Sequence, residues 1–170
     1  MERTYKIVVT GPFSAGKTEF IKAVSDVQVI TTERKLTRDA LPGKEETTVA
    51  LDYGRTKLDK MTIQLFGTPG QPRFDFMWEI LAKEMDGFVV MVDSADPETF
   101  GTAKKLIEMF RGFENVPYII AANKQDLDGA ISPQEMRSAL GLEPKVKVAQ
   151  CVATDALVIK QILLELTKEL

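Results

Sequence analysis

The stretch GPFSAGKT, residues 11–18, constrains this chain more than any other. It has the form G-x-x-x-x-G-K-[ST], and its flanks suit it. YKIVVT (5–10) reads as a buried strand before it, and residues 17–24 read as a helix after it, with Phe20, Ile21 and Val24 on one face. A loop in this setting turns its backbone N–H groups inward around phosphate oxygens, and the helix N-terminus adds partial positive charge. Gly11, Pro12, Phe13, Ser14, Ala15, Gly16, Lys17 and Thr18 are therefore candidate nucleotide-binding residues. Lys17 is placed to neutralise the β- and γ-phosphates, and Thr18 to give its hydroxyl to Mg²⁺. The plainer alternative is a Gly-rich turn that starts a helix.

The order of strand then helix recurs along the chain. TVALDYGR (48–55) and KMTIQLF (60–66) read as a hairpin, and FVVMVD (88–93) as a buried strand. In PETFGTAKKLIEMF (97–110), Phe100, Ala103, Leu106, Ile107 and Phe110 recur at helical spacing. VPYIIAAN (116–123) and KVKVAQC (145–151) read as strands. Between them SPQEMRSAL (132–140) reads as a short helix capped by Ser132 with Pro133 at its first position. A last helix starts near Asp155, with Ile159, Ile162, Leu163, Leu166 and Leu170 inward. Such alternation predicts an α/β fold: a mostly parallel six-stranded sheet with one antiparallel hairpin and helices on both faces. Residues 25–47 read as a long loop, and loops of that length are usually functional. With 170 residues and 44% apolar residues, one domain spanning 1–170 is expected.

NKQD at 123–126 supplies the choice of base. A carboxylate at Asp126 can accept hydrogen bonds from guanine's ring N–H and exocyclic amine, a donor pair that adenine lacks. The Lys124 stem can lie on the base face, Asn123 can tie this loop to the phosphate loop, and Leu127 follows alongside. Alone, N-K-x-D is also compatible with a polar strand-to-helix loop. Its place at the carboxyl end of a strand, where ligands of open α/β sheets bind, favours the base-binding reading over a P-loop kinase or ATPase.

On GPFSAGKT and NKQD the chain resembles the Ras-superfamily small GTPases over the whole of their G domain. That resemblance implies a GTP-hydrolysing switch with GTP/GDP and Mg²⁺ as ligands, whose switch loops control partner binding. CVATD (151–155) is similar to the family's third base-side loop, which implies nucleotide contacts at Val152, Ala153 and Thr154, with the Ala153 N–H reading the guanine O6. Thr48 is similar to the switch threonine that completes the Mg²⁺ shell, with Thr47 adjacent. The second switch of the family is usually Asp-x-x-Gly-Gln; here it is Gly67, Thr68, Pro69, Gly70, Gln71. The resemblance implies that Gly70 senses the γ-phosphate and Gln71 orients the attacking water, with Lys17 completing the catalytic set. GTPGQ and the long first switch resemble the prokaryotic MglA-like branch, whose partners include roadblock/LC7-type dimers.

The missing acid at Gly67 leaves the Mg²⁺ shell incomplete and leaves open a GTP-binding scaffold that barely hydrolyses. Asp93, ending FVVMVD, is a candidate compensating carboxylate, or else a turn residue before SADPETF. Phe13 is expected to pack on the second switch. Arg34 and Arg38 are candidates for an internal cation at the γ-phosphate, or a solvated charged loop. Phe76 falls off the inward stripe Phe74, Met77, Trp78 and Leu81, which makes it a candidate partner contact.

Composition closes off other chemistries. There is no histidine, so Ser-His and Cys-His pairs and imidazole metal sites are excluded. Cys151 is alone, so no internal disulfide forms, and a small buried apolar role is expected. With 22 Lys and Arg against 25 Asp and Glu, the net charge of −3 argues against nucleic acid and acidic membranes. MERTYKIVVTG lacks the apolar region of a signal peptide, Glu follows Met1, and the chain ends TKEL, so no lipid anchor and a cytoplasmic setting are expected.

Overall fold

The computed structural model describes the backbone of residues 2–38, 45–69 and 75–170, and the side chains of all these except 32–38 and 45–50. Strand β1 (Arg3–Thr10) enters helix α1 (Lys17–Val24) through the Gly-rich loop. Strands β2 (Ile30–Arg38), β3 (Glu45–Leu58) and β4 (Met61–Gly67) follow, then α2 (Asp75–Ala82), β5 (Gly87–Asp93), α3 (Phe100–Phe113), β6 (Tyr118–Asn123), α4 (Pro133–Leu140), β7 (Lys147–Gln150) and α5 (Ala156–Thr167).

The sheet has seven strands in the order β2-β3-β4-β1-β5-β6-β7. The β1, β4, β5, β6 and β7 pairings are parallel, while β3 runs antiparallel to β2 and β4. The six-stranded expectation is corrected here. Residues 30–38, assigned to a loop, form β2 along β3, pairing from Ile30↔Tyr53 to Arg38↔Glu45. ITTERKLTR lacks an apolar alternation because it is an edge strand, and charged side chains there protect an edge from pairing with other chains. The same pairing extends β3 three residues beyond its predicted start, so Thr48 lies inside a strand, opposite Lys35.

Two apolar layers sandwich the sheet. Ile7 and Val9 of β1 face a layer with Phe20, Ile21, Ile159 and Leu163, so α1 and α5 cover one face. Val8 faces the other, with Phe88, Val90, Phe110 and Met136 beneath α2, α3 and α4. This alternation is the period-two rule of a strand covered on both sides. The α4 start is the predicted one: Ser132 accepts from the Glu135 N–H at 3.1 Å, and Glu135 accepts from the Ser132 N–H at 3.2 Å. Among the described residues no helix is long and apolar enough to cross a membrane.

Candidate nucleotide site

The parallel strands β1, β5, β6 and β7 end side by side, and the loops that follow β1, β6 and β7 leave their carboxyl ends toward one another. The first is 11–16. It is closed by the Ala15 N–H donating to Pro12 O at 3.1 Å, with Ser14 left-handed at φ 65°. Gly16 sits at φ 105°, and a Cβ there would come 2.4 Å from Asn123 Nδ2. Only glycine allows the second loop this close. Lys17 folds back across the loop and its Nζ donates to Gly11 O at 2.7 Å and Pro12 O at 3.0 Å. Burial pulls the Lys17 amine down to about 8, against an opposing pull from Asp52. Among the described residues, the hydrogen-bond partners of this cation are carbonyls.

The second loop is built around Asn123, which is 2% exposed. Its Nδ2 donates to Ala15 O at 2.8 Å and its Oδ1 accepts from the Ala153 N–H at 2.9 Å. One amide thus joins all three loops. The expected tie to the phosphate loop is present. The Ala153 N–H, expected to meet the guanine O6, is instead engaged by Asn123. Lys124, at φ 62°, sends its Nζ to Ser14 O and to Asp93 Oδ2, both at 2.9 Å. The second Asp93 oxygen accepts from the Ala95 N–H at 2.9 Å. Asp93 is therefore a turn residue and the counter-charge of Lys124, and its carboxylate is committed to the base side. Gln125 braces the loop through Ser94 Oγ at 2.9 Å and Ile131 O at 2.8 Å. Asp126 and Leu127 stand exposed on its rim, with Val152 partly buried and Thr154 exposed opposite. Asp155 then caps α5, accepting from the Leu157 and Val158 N–H groups.

On the other flank, Thr18 donates its hydroxyl to Asp52 Oδ2 at 2.5 Å, and Thr31 donates to Asp52 Oδ1 at 2.9 Å. Asp52 pairs with Gly67 across β3 and β4. The sequence reading passed over Asp52. The available signal was an acid inside an otherwise strand-like run, TVALDYGR, where a side chain facing the loop has to find a polar partner. At the end of β4 the Thr68 hydroxyl donates to Thr10 Oγ1 at 2.9 Å, and Trp78 Nε1 donates to Pro69 O at 2.8 Å. Gly70 and Gln71 lie outside the described residues, as do Pro72 and Phe74. So do the side chains of Arg34, Arg38, Thr47 and Thr48. Phe13 is 64% exposed, and residues 70–74 of the second switch expected to cover it lie outside the described residues. Phe76 packs with Met77 and Leu51, while Ile80 is the exposed apolar residue of α2, at 61%.

The donor set fits Mg²⁺. Thr18 and Asp52 offer hard oxygen ligands, and among the described residues no group of three carboxylates or thiols gathers to form an all-protein cage. Such a sparse oxygen set matches an ion that keeps water and substrate phosphates in its shell. A cleft of about 630 Å³, lined by Glu108, Arg111, Tyr118 and Glu143, lies at the amino end of β6 and touches none of the three loops.

Comparison with known proteins gives a consistent result. The model of the ADP-ribosylation factor family matches residues 1–170. ADP-ribosylation factor-like protein 8b of Arabidopsis thaliana is 26% identical over 141 residues, covering 81% of this chain and 70% of that protein. The mutual gliding-motility protein MglA of Myxococcus xanthus is 30% identical over 147 residues, covering 79% of this chain and 74% of that protein. Among solved structures, the Arl6 BBS3 small GTPase from Trypanosoma brucei with bound GppNp superposes with a TM-score of 0.74 at 19% identity, over 97% of this chain and 96% of that one.

Proposed function

Because the chain belongs to the ADP-ribosylation factor family of small GTPases, GTP-binding switches that hydrolyse GTP to GDP and phosphate, we propose that residues 11–18, 123–127 and 152–154 form its guanine-nucleotide site. The observation that carries this is the Asn123 side chain, whose two hydrogen bonds, at 2.8 and 2.9 Å, join the phosphate loop to both base-side loops. In this reading Lys17 meets the β- and γ-phosphates, the Asp126 carboxylate accepts from the guanine edge, and the Lys124 stem lies under the base. Thr18 and Thr48 hold Mg²⁺, which when bound offsets phosphate charge. Gly70 and Gln71 sense the γ-phosphate and orient the water.

The family's activity does not favour a scaffold without hydrolysis. MglA stands among several ADP-ribosylation factor relatives, and the finer reading places this chain in the MglA-like branch on the Gly67–Gln71 stretch. That reading brings a roadblock/LC7-type dimer as the class of partner at the switch surface, and the lone cysteine agrees with a cytoplasmic setting. Asp126→Asn tests the site: nucleotide preference is expected to move from guanine toward xanthine, with GTP affinity falling about 100-fold or more as a charge-assisted pair is lost. Undiminished GTP affinity in competition binding overturns the base assignment.

A further inference from the structure

The acid absent at position 67 has a counterpart one strand away. Asp52 lies directly opposite Gly67 in the β3–β4 ladder. A Cβ built on Gly67 would come 3.2 Å from Asp52 Cβ and 3.6 Å from Asp52 Oδ2. The Asp52 side chain thus occupies the space that a side chain at 67 would enter. Its Oδ2 accepts the hydroxyl proton of Thr18 at 2.5 Å, and its Oδ1 is pinned by Thr31 at 2.9 Å.

We propose that Asp52 supplies the metal-side carboxylate in place of residue 67, so that the Mg²⁺ site draws its acid from β3 instead of from the end of β4. The proposal rests on the nucleotide reading above, since Thr18 defines the metal position there. Three observations converge on it. The Thr18 hydroxyl has its proton turned into Asp52, which leaves its lone pairs for a cation. The carboxylate is held from its far side by Thr31, as a residue orienting a metal ligand has to be. Gly67 leaves room for one acid only: a Cβ there would also meet Ile21 Cδ1 at 2.9 Å, and a second carboxylate would face the first at close range. The glycine is thereby explained as the partner of Asp52 and not as a lost function.

The test is the release of a fluorescent GDP analogue from the full chain as a function of Mg²⁺ concentration. For Asp52→Asn, which keeps size and one acceptor oxygen, the Mg²⁺ midpoint is expected to rise at least about tenfold, with GDP binding in EDTA retained. Asp52→Gly combined with Gly67→Asp returns the acid from the other strand, and the midpoint is expected to fall back toward wild type. An unchanged midpoint in Asp52→Asn overturns the assignment, because a purely structural link between β2 and α1 would act on stability alone. No recovery in a relocated variant that still binds the GDP analogue in EDTA overturns the shared place. Release from the wild type that ignores Mg²⁺ overturns the nucleotide reading and the assignment together.

Discussion

Among the described side chains two lysines reach the phosphate loop, and the chain treats them differently. Lys124 Nζ spans from Ser14 O to Asp93 Oδ2, each at 2.9 Å, so its charge is matched within the protein. Among the described residues, Lys17 Nζ has the carbonyls of Gly11 and Pro12 as its partners, at 2.7 and 3.0 Å. Burial pulls it down to about 8, and the nearby Asp52 charge recovers only part of that. A matched cation is a strut. A buried cation with no carboxylate among its described hydrogen-bond partners is a cost to the fold, which supports the proposal that it meets an anion from outside. The sign follows from the depressed value: the fold holds fewer protons here than the unfolded chain between pH 8 and 10.5, so the cost is present below about 8 and fades as pH rises toward 10.5.

The sharpest break of that comparison is Lys17→Met, which keeps the stem and deletes the charge. GDP affinity is expected to fall about 100-fold, the worth of two charge-assisted hydrogen bonds to phosphate. The nucleotide-free protein is expected to be as stable as wild type or more so in urea denaturation. A loss of stability would make Lys17 a strut like Lys124.

A smaller effect is expected from Asp93→Asn. Both partners of this pair are under a third exposed, at 31% for Lys124 and 14% for Asp93. The loss should therefore exceed that of a surface pair yet stay near 1 kcal/mol in urea denaturation, since the amide still accepts from the Ala95 N–H. The Mg²⁺ midpoint for GDP release is expected to stay where it is. A shift there would return Asp93 to the metal side and weaken the case for Asp52.

The base-side half of the site was legible in the sequence because its signals are local. Asn123, Lys124 and Asp126 are consecutive or nearly so, and the strand that presents them follows from VPYIIAA. The phosphate loop is the same kind of signal, and α1 begins and ends where its apolar spacing places it. The switch side depends on pairing between distant residues. Asp52 belongs with Thr18, 34 positions away, only because β2, β3 and β4 adopt one register, and register is not written in a polar edge strand such as ITTERKLTR. The same cause hid β2 itself. Of the two roles open to Asp93 in the sequence, the structure shows the turn residue: it accepts from the Ala95 N–H, and its other oxygen meets Lys124, a partner that depends on how the loop after β6 folds back.

The last expectation concerns a third buried group, and it separates burial from function. Cys151 is 1% exposed and its O accepts from the Gln125 N–H at 3.3 Å, so it sits under the base-side loop. Burial, with Asp155 adding to it, pushes the thiol from 9.0 up to about 12. Burial thus drives Lys17 and Cys151 alike toward their neutral forms, but the neutral form is the apolar packing unit only for the thiol. A folded value above the unfolded one means that the stability linked to this group is fully present below about pH 9 and is lost as pH rises toward 12. At pH 8 the folded chain carries about a thousandfold less thiolate than the unfolded one, so its reaction with iodoacetamide is expected to be slower by about that factor. Saturating GDP should slow it further by suppressing local opening of the loop. A thiol that reacts at the unfolded rate in the native protein would put Cys151 with Lys17, among the groups the fold holds ready for use, and would remove the distinction between a residue buried for packing and one buried for an anion.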